Sequence, residues 1–230
     1  MEAFVVNKYE LHLHTAECDR AAVMPAAEIV RKYHAAGYAG MVVTDHYFSI
    51  FDEWFEDELR GLSRKQYIER WLRGYYAARE EGEKLGFVVL PGAEVRFEGE
   101  PNDYLIYGVD ENFFYESPPL SYLGSVENLV RALPQSACVV QAHPFRNKMT
   151  VTSPDFLFGI EGFNGGCSRF RNQMAKMFAE HYGKPITSGS DFHGYKRFAM
   201  GGIETERTIL TPKDLSDTLR SGEYTIIERY

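Results

Sequence analysis

The sequence predicts an α/β fold built on a mainly parallel sheet. Short apolar runs rich in Val, Ile and aromatic residues alternate with amphipathic helical stretches at least six times along the chain. Five strand ends carry His, Asp or Glu, and the carboxyl ends of strands are where α/β folds place their chemistry. The 230 residues, 44% of them hydrophobic, suit one globular domain over 1–230, with no linker, repeat or low-complexity run to divide it. An open doubly wound sheet and a closed barrel both fit, and periodicity alone does not choose between them.

In chain order, Tyr9–Thr15 reads as a strand because Leu11 and Leu13 alternate with His12 and His14. Pro25 opens a helix that Gly37 stops. The run AGMVVTDH is a buried strand ending near Asp45. The stretch between Asp45 and Ser63 is aromatic and acidic and long for a connection, which suits a lid or side wall. Ser63 with Gln66 forms a capping box for a long helix towards Gly86, whose stripe of Tyr67, Ile68, Trp71, Leu72, Tyr75 and Tyr76 reads as core packing. Strands follow over FVVLPGAEVRF and DYLIYGV, then a helix from Val126 to Leu133. SACVVQAH and GIEGFN are further strands, Arg169 to His181 a helix, and KPITSGSDFH a strand with a Gly/Ser-rich end. Thr211-Pro212-x-Asp214 opens the last helix with both a cap and a proline, and TIIE closes the chain as a strand.

The formal net charge of -8 gives no basic footprint for long nucleic acid. Lys8 and Glu10 interrupt the first apolar stretch, so no signal peptide is expected, and no window approaches a membrane span. Three cysteines, Cys18, Cys138 and Cys167, are too few and too scattered for a disulfide framework. A cytoplasmic protein is the expectation, and the oligomeric state stays open.

Of seven histidines, five fall in four short clusters: HLHT (His12, His14), TDH (His46), AHP (His143) and SDFH (His193). GAE adds Glu94 at another strand end. Residues two apart on a strand share a face, so His12 projects with His14, and Asp191 with His193. Mixed imidazole and carboxylate donors suit Zn, Mn or Fe. His34 and His181 lie on helices and read as surface residues. Asp45 either orients a neighbouring ligand or simply ends its strand.

The series HLHT, TDH, GAE, AHP and SDFH resembles the polymerase and histidinol phosphatase (PHP) family of metal-dependent phosphoesterases, over His12 to His193. The stretch IEGFNGG resembles a family loop. The resemblance implies a distorted (β/α)7 TIM-like barrel holding two or three divalent metal ions: Mn, Zn or Fe, with Mg possible. It implies one site of His12, His14, Glu94 and Asp191, a second of Asp19, His46 and His193, and a third in which Glu94 bridges to His143. Asp19 matches by its offset from His14, with Cys18 as its neighbour. The family usually has two further histidines between the glutamate and the D-x-H pair, and here only His143 lies in position. Asp103, Asn164, Cys167 or water would fill the gap, and two metals or three are equally consistent with the sequence.

The implied activity is hydrolysis of a small phosphorylated metabolite or nucleotide by a metal-activated hydroxide attacking phosphorus. No nucleophile elbow or P-loop is present, so no catalytic residue separate from the metal ligands is expected. Arg146, Arg169, Arg171 and Arg197 (with Lys196 beside it) are the candidate phosphate-binding cations. Two other readings are a metal-dependent amidohydrolase on a similar barrel and a non-catalytic sensor of metal or phosphate.

Overall fold

A computed structural model describes residues 6–230. It is a mixed α/β fold. The chain runs β1 (Asn7–Glu10), α1 (Ala26–Ala35), β2 (Gly40–Val43), β3 (His46–Tyr47), α2 (Ser49–Trp54), α3 (Glu56–Leu59), α4 (Arg64–Trp71) and α5 (Arg73–Leu85). It continues through β4 (Val88–Pro91), β5 (Ala93–Arg96), β6 (Asp103–Tyr107), α6 (Glu111–Glu116), α7 (Val126–Ala132), β7 (Cys138–Gln141) and β8 (Gly159–Asn164). The last elements are α8 (Arg169–His181), β9 (Ile186–Gly189), β10 (Ile203–Thr205), α9 (Pro212–Ser221) and β11 (Thr225–Ile226).

The strands form two ladders, ordered β11-β10-β1-β2-β4 and β3-β5-β6-β7-β8-β9. The chain passes from one ladder to the other at Gly92, between β4 and β5. A Cβ at Gly92 would press on Val42 and on the Ile106 carbonyl, so only glycine lets the strand bend there. The two ladders meet again beyond β1 and β9, where Leu13 bridges Phe192 in parallel. There the His14 amide donates to the Phe192 carbonyl at 3.0 Å.

The sheet is less parallel than expected. β6 runs against both β5 and β7. Only Phe97–Asn102 separates β5 from β6, too short for a helical crossover, so the chain turns straight back. β7 then restores the common direction, and β8 and β9 follow it in parallel. β10 and β11 are antiparallel additions at the far edge.

Alternation along the strands divides the core. Leu11, Val42, Leu90, Leu105, Tyr107 and Val140 pack together in one cluster. Their neighbours Met41, Val43, Val89, Ile106 and Val139 face a larger cluster with the helices. The stripe on the long helical segment is core, with Ile68, Trp71, Leu72 and Tyr75 buried. The single helix expected there is two, α4 and α5, which meet at Leu72. The Ser63–Gln66 capping box is present, and Gly86 caps α5 in the left-handed region. Cys138 is buried core, as expected. Among the described residues no helix is long and apolar enough to cross a membrane.

Candidate metal centre

The strand expected over Tyr9–Thr15 leaves its ladder after Glu10. Glu10 is the cause. Its fully buried carboxylate accepts from the amides of Leu11 and His12 at 3.0 and 3.1 Å, and from the Ser190 amide at 2.9 Å. Tyr33 and the Ser190 hydroxyl also donate to it. One side chain thus ties the segment bearing His12 and His14 to the segment bearing Asp191. His12 and His14 still point the same way, their ring centroids 5.2 Å apart.

All eight expected ligand residues converge, and Glu94 stands at their centre. Its Oε1 lies 2.9 Å from His143 Nε2 and 3.4 Å from His12 Nε2. Its Oε2 lies 3.0 Å from His46 Nε2 and 3.4 Å from His14 Nε2. Asp191 Oδ1 lies 3.2 Å from His193 Nδ1, 3.5 Å from His14 Nε2 and 3.8 Å from His12 Nε2. Asp19 Oδ2 lies 3.0 Å from His193 Nε2 and 3.2 Å from His46 Nδ1. Cys18 instead points away, its thiol donating to the Trp71 carbonyl.

Three groups of these residues bring one donor atom each within 4.8 Å of one another: His14, Asp19, His46 and His193; His12, His14 and Asp191; His12, Glu94 and His143. His12 and His14 are each shared between two groups, a wider role than the resemblance implied for His14. Several of the donors are buried without a hydrogen-bond partner: His12 Nε2, both ring nitrogens of His14, Asp19 Oδ2, His46 Nδ1 and His143 Nδ1. Unpartnered buried polar atoms are costly, and a cation among them would satisfy them together. The residues therefore fit a cluster of divalent ions.

The electrostatics agree with that fit. Burial, with His46 and His193 beside it, pushes His14 down to about 3, which leaves it a neutral ligand. Against the cost of burial, Asp19 and Glu94 raise His46 to about 9, and Asp19 and Asp191 raise His193 to about 10. His14, His193 and His12 hold Asp191, and His12, His143 and His46 hold Glu94, well below the usual carboxylate range despite their burial.

Residues behind the ligands orient them. Glu161, which the sequence reading missed, lies 2.8 Å from His12 Nδ1 through Oε1. Its Oε2 accepts from the His143 amide and from Asn164 Nδ2, each at 2.9 Å. Asp45 accepts from the Thr15 amide at 2.7 Å and hydroxyl at 2.8 Å, so its carboxylate ties down the residue after His14. His143 and Asp191 adopt positive φ of 29° and 49°, a local strain that the surrounding contacts must hold in place.

The candidates for the missing histidine are now located. Asp103 Oδ2 is 3.8 Å from His143 Nε2, but both carboxylate oxygens are taken by Arg96, at 2.6 and 2.8 Å. Asn164 is engaged with Glu161, and burial lifts the Cys167 thiol to about 12. Of the expected phosphate-binding cations, Arg197 bonds Asp191 Oδ2 at 3.1 Å and Arg146 lies 3.8 Å from it. Arg171 bonds Asn147, and Arg169 stacks over Tyr230 at 4.7 Å, so neither contacts the histidine cluster.

A cleft of about 440 Å³ opens beside the cluster, lined by His46, His193, Arg96 and Arg146. The aromatic stretch after Asp45 forms its wall through Phe48 and Trp54, whose rings lie 4.8 and 6.1 Å from that of His46.

Comparison with known proteins agrees with the motif reading. Residues 169–224 match the model of a PHP-associated family. The whole chain superposes, at a TM-score of 0.72 and 15% identity, on a two-domain protein from Bacteroides vulgatus containing a predicted PHP-like metal-dependent phosphoesterase, and spans 66% of its length. PsfC from Pseudomonas syringae shares the fold at TM-score 0.65 and 17% identity, covering 97% of this chain and 92% of its own. An amidohydrolase from Chromobacterium violaceum does so at 0.60 and 16%, covering 94% and 97%. No curated protein sequence matches the chain. The PHP-associated match over residues 169–224 and the shared fold agree with the resemblance read from the motifs.

Proposed function

We propose that the chain is a single-domain metal-dependent phosphoesterase acting on a small phosphorylated metabolite or nucleotide. One observation carries the reading. The two oxygens of Glu94 are divided between the pairs His12/His143 and His14/His46, within a nest of buried donors that lack hydrogen-bond partners. A carboxylate so placed would be able to hold two cations at once. Bound divalent ions (Mn, Zn or Fe, with Mg possible) would supply Lewis acidity and an activated water for attack on a phosphate.

The chain's own residues prepare that chemistry. The Glu161 carboxylate takes the Nδ1–H of His12 and so leaves its Nε2 lone pair facing Glu94 and Asp191. Arg146 and Arg197, beside Asp191, would receive an anionic group. Phe48 and Trp54 wall the cleft and reduce its exposure to water, and its volume suits a small molecule. We further read the two ladders, joined at Gly92 and bridged at Leu13–Phe192, as the distorted seven-stranded barrel that the resemblance implies. The group central to the histidines is a carboxylate, Glu94, whereas an amidohydrolase of this kind would want a bridging lysine, which weighs against that alternative.

The test is turnover of nitrophenyl phosphate, nucleotides and histidinol phosphate by metal-reconstituted protein, with C–N substrates assayed alongside. Phosphate release that requires a divalent ion is expected. His14→Ala, which sits in two of the donor groups, should lose at least one metal by elemental analysis. No turnover with Mn, Zn, Fe or Mg would refute the proposal, and turnover of C–N substrates alone would favour an amidohydrolase.

A further inference from the structure

Arg96 was not among the cations expected at this site, yet its position singles it out. It lies two residues after Glu94 on β5, so both side chains project to the face that carries the histidine cluster. Across the antiparallel ladder it is paired with Asp103, the first residue of β6. Directly opposed side chains on one face are held within reach of each other by the register itself. Arg96 Nε donates to Asp103 Oδ1 at 2.6 Å and Nη2 to Oδ2 at 2.8 Å. This is the two-pronged geometry that fixes a guanidinium most firmly.

The third arm is left over. Nη1 makes no hydrogen bond within the protein among the described contacts, and the side chain is 34% exposed where Asp103 is 2% exposed. Its exposed part lines the cleft, together with His46, His193 and Arg146. The ring of Phe48 packs against the guanidinium at 4.4 Å and also neighbours the His46 ring. The cation is thus clamped from two directions and directed towards the open space next to the cluster. Asp103, for its part, has both oxygens occupied, and the nearest cluster donor, His143 Nε2, is 3.8 Å away.

We propose that Arg96 is a substrate-binding residue, a fixed cation that takes a non-bridging oxygen of the phosphate group. In this proposal Asp103 positions Arg96 and is not a metal ligand. The proposal rests on the phosphoesterase reading of the site. It places a protein-borne positive charge in the cleft beside the cluster, so a permanent guanidinium faces the substrate there.

The experiment uses the metal-loaded full chain, with inorganic phosphate as the probe in calorimetry, nitrophenyl phosphate for kinetics, and elemental analysis for metal content. Arg96→Met should raise the Kd for phosphate about tenfold or more, the loss expected for one charge-assisted hydrogen bond, and raise KM in step. Arg96→Met strands a buried carboxylate, so the double variant Arg96→Met/Asp103→Asn, which removes the pair together, guards against misfolding. Both variants should keep the metal content of the parent. Unchanged phosphate affinity in a folded variant would overturn the role of Arg96. Loss of a metal in the double variant but not in the single one would overturn that of Asp103. If the unaltered protein binds phosphate and turns over its ester, those results bear on Arg96 and Asp103 alone. If it does neither, the phosphoesterase reading fails and this proposal falls with it.

Discussion

Gly189→Ala tests the assembled site without touching a ligand. Gly189 ends β9, and His12 fills the space where its side chain would be. An added Cβ would fall inside the van der Waals envelope of His12 Cβ, 2.8 Å from Glu161 Oε1 and 3.2 Å from His12 Cα. Carbon atoms settle at about 3.5–4.0 Å, so His12 must retreat by about 1 Å or more. The 2.8 Å contact between His12 Nδ1 and Glu161 cannot survive that movement unaltered, since both partners border the new methyl group. Overpacking of this kind costs about 1–3 kcal/mol. For a chain of this size that lowers Tm by about 2–12 °C. A displacement of about 1 Å at a reacting centre costs on the order of 100-fold in rate. Thermal unfolding of the metal-free protein, elemental analysis and phosphate-ester turnover read the three consequences separately. A melting temperature and metal content equal to those of the parent would refute the packing argument, whatever the turnover.

Two further outcomes are expected. Glu161→Gln removes the charged acceptor behind His12 and should weaken metal affinity about 10–100-fold in a chelator competition, with unchanged affinity counting against an orienting role. Metal uptake should release protons at pH 7, because His46 and His193, raised to about 9 and about 10 by Asp19, Glu94 and Asp191, are protonated in the metal-free protein and must become neutral to ligate. Affinity then rises with pH up to those values and levels off above them. Calorimetry in two buffers of different ionisation heat measures the release, and a heat independent of buffer would contradict it.

The candidate ligands are legible in the sequence because they carry a local signal. His12 with His14 and Asp191 with His193 show strand spacing, and each sits where an apolar run ends. Their partners were not legible. Glu161 lies inside a strand buried along its whole length, where no alternation of polar and apolar residues marks which side chain faces the site. Glu10 reads as an ordinary polar residue near the start of the chain, and only the fold brings Ser190 and Tyr33 to it. The Arg96–Asp103 pair depends on a strand register that no single segment specifies. The mixed direction of the sheet escaped for a related reason: the apolar content of β6 resembles that of its parallel neighbours, and the short connection before it was the one available sign. Arg169 and Arg171, expected near phosphate because they follow the NGG loop, lie in the first turn of α8, where Arg169 stacks on Tyr230 and Arg171 bonds Asn147.

The bridge between Leu13 and Phe192 has a consequence for how the protein comes into being. His14 and Phe192, joined amide to carbonyl, come from distant parts of the chain, so the two donor groups that include Asp191 or His193 cannot form from neighbouring segments alone. During synthesis the first histidines emerge long before the residues that complete their surroundings. Closing so long a loop makes this a late and slow contact in folding. Those two groups would therefore be completed late, in a chain that has already brought β9 into place.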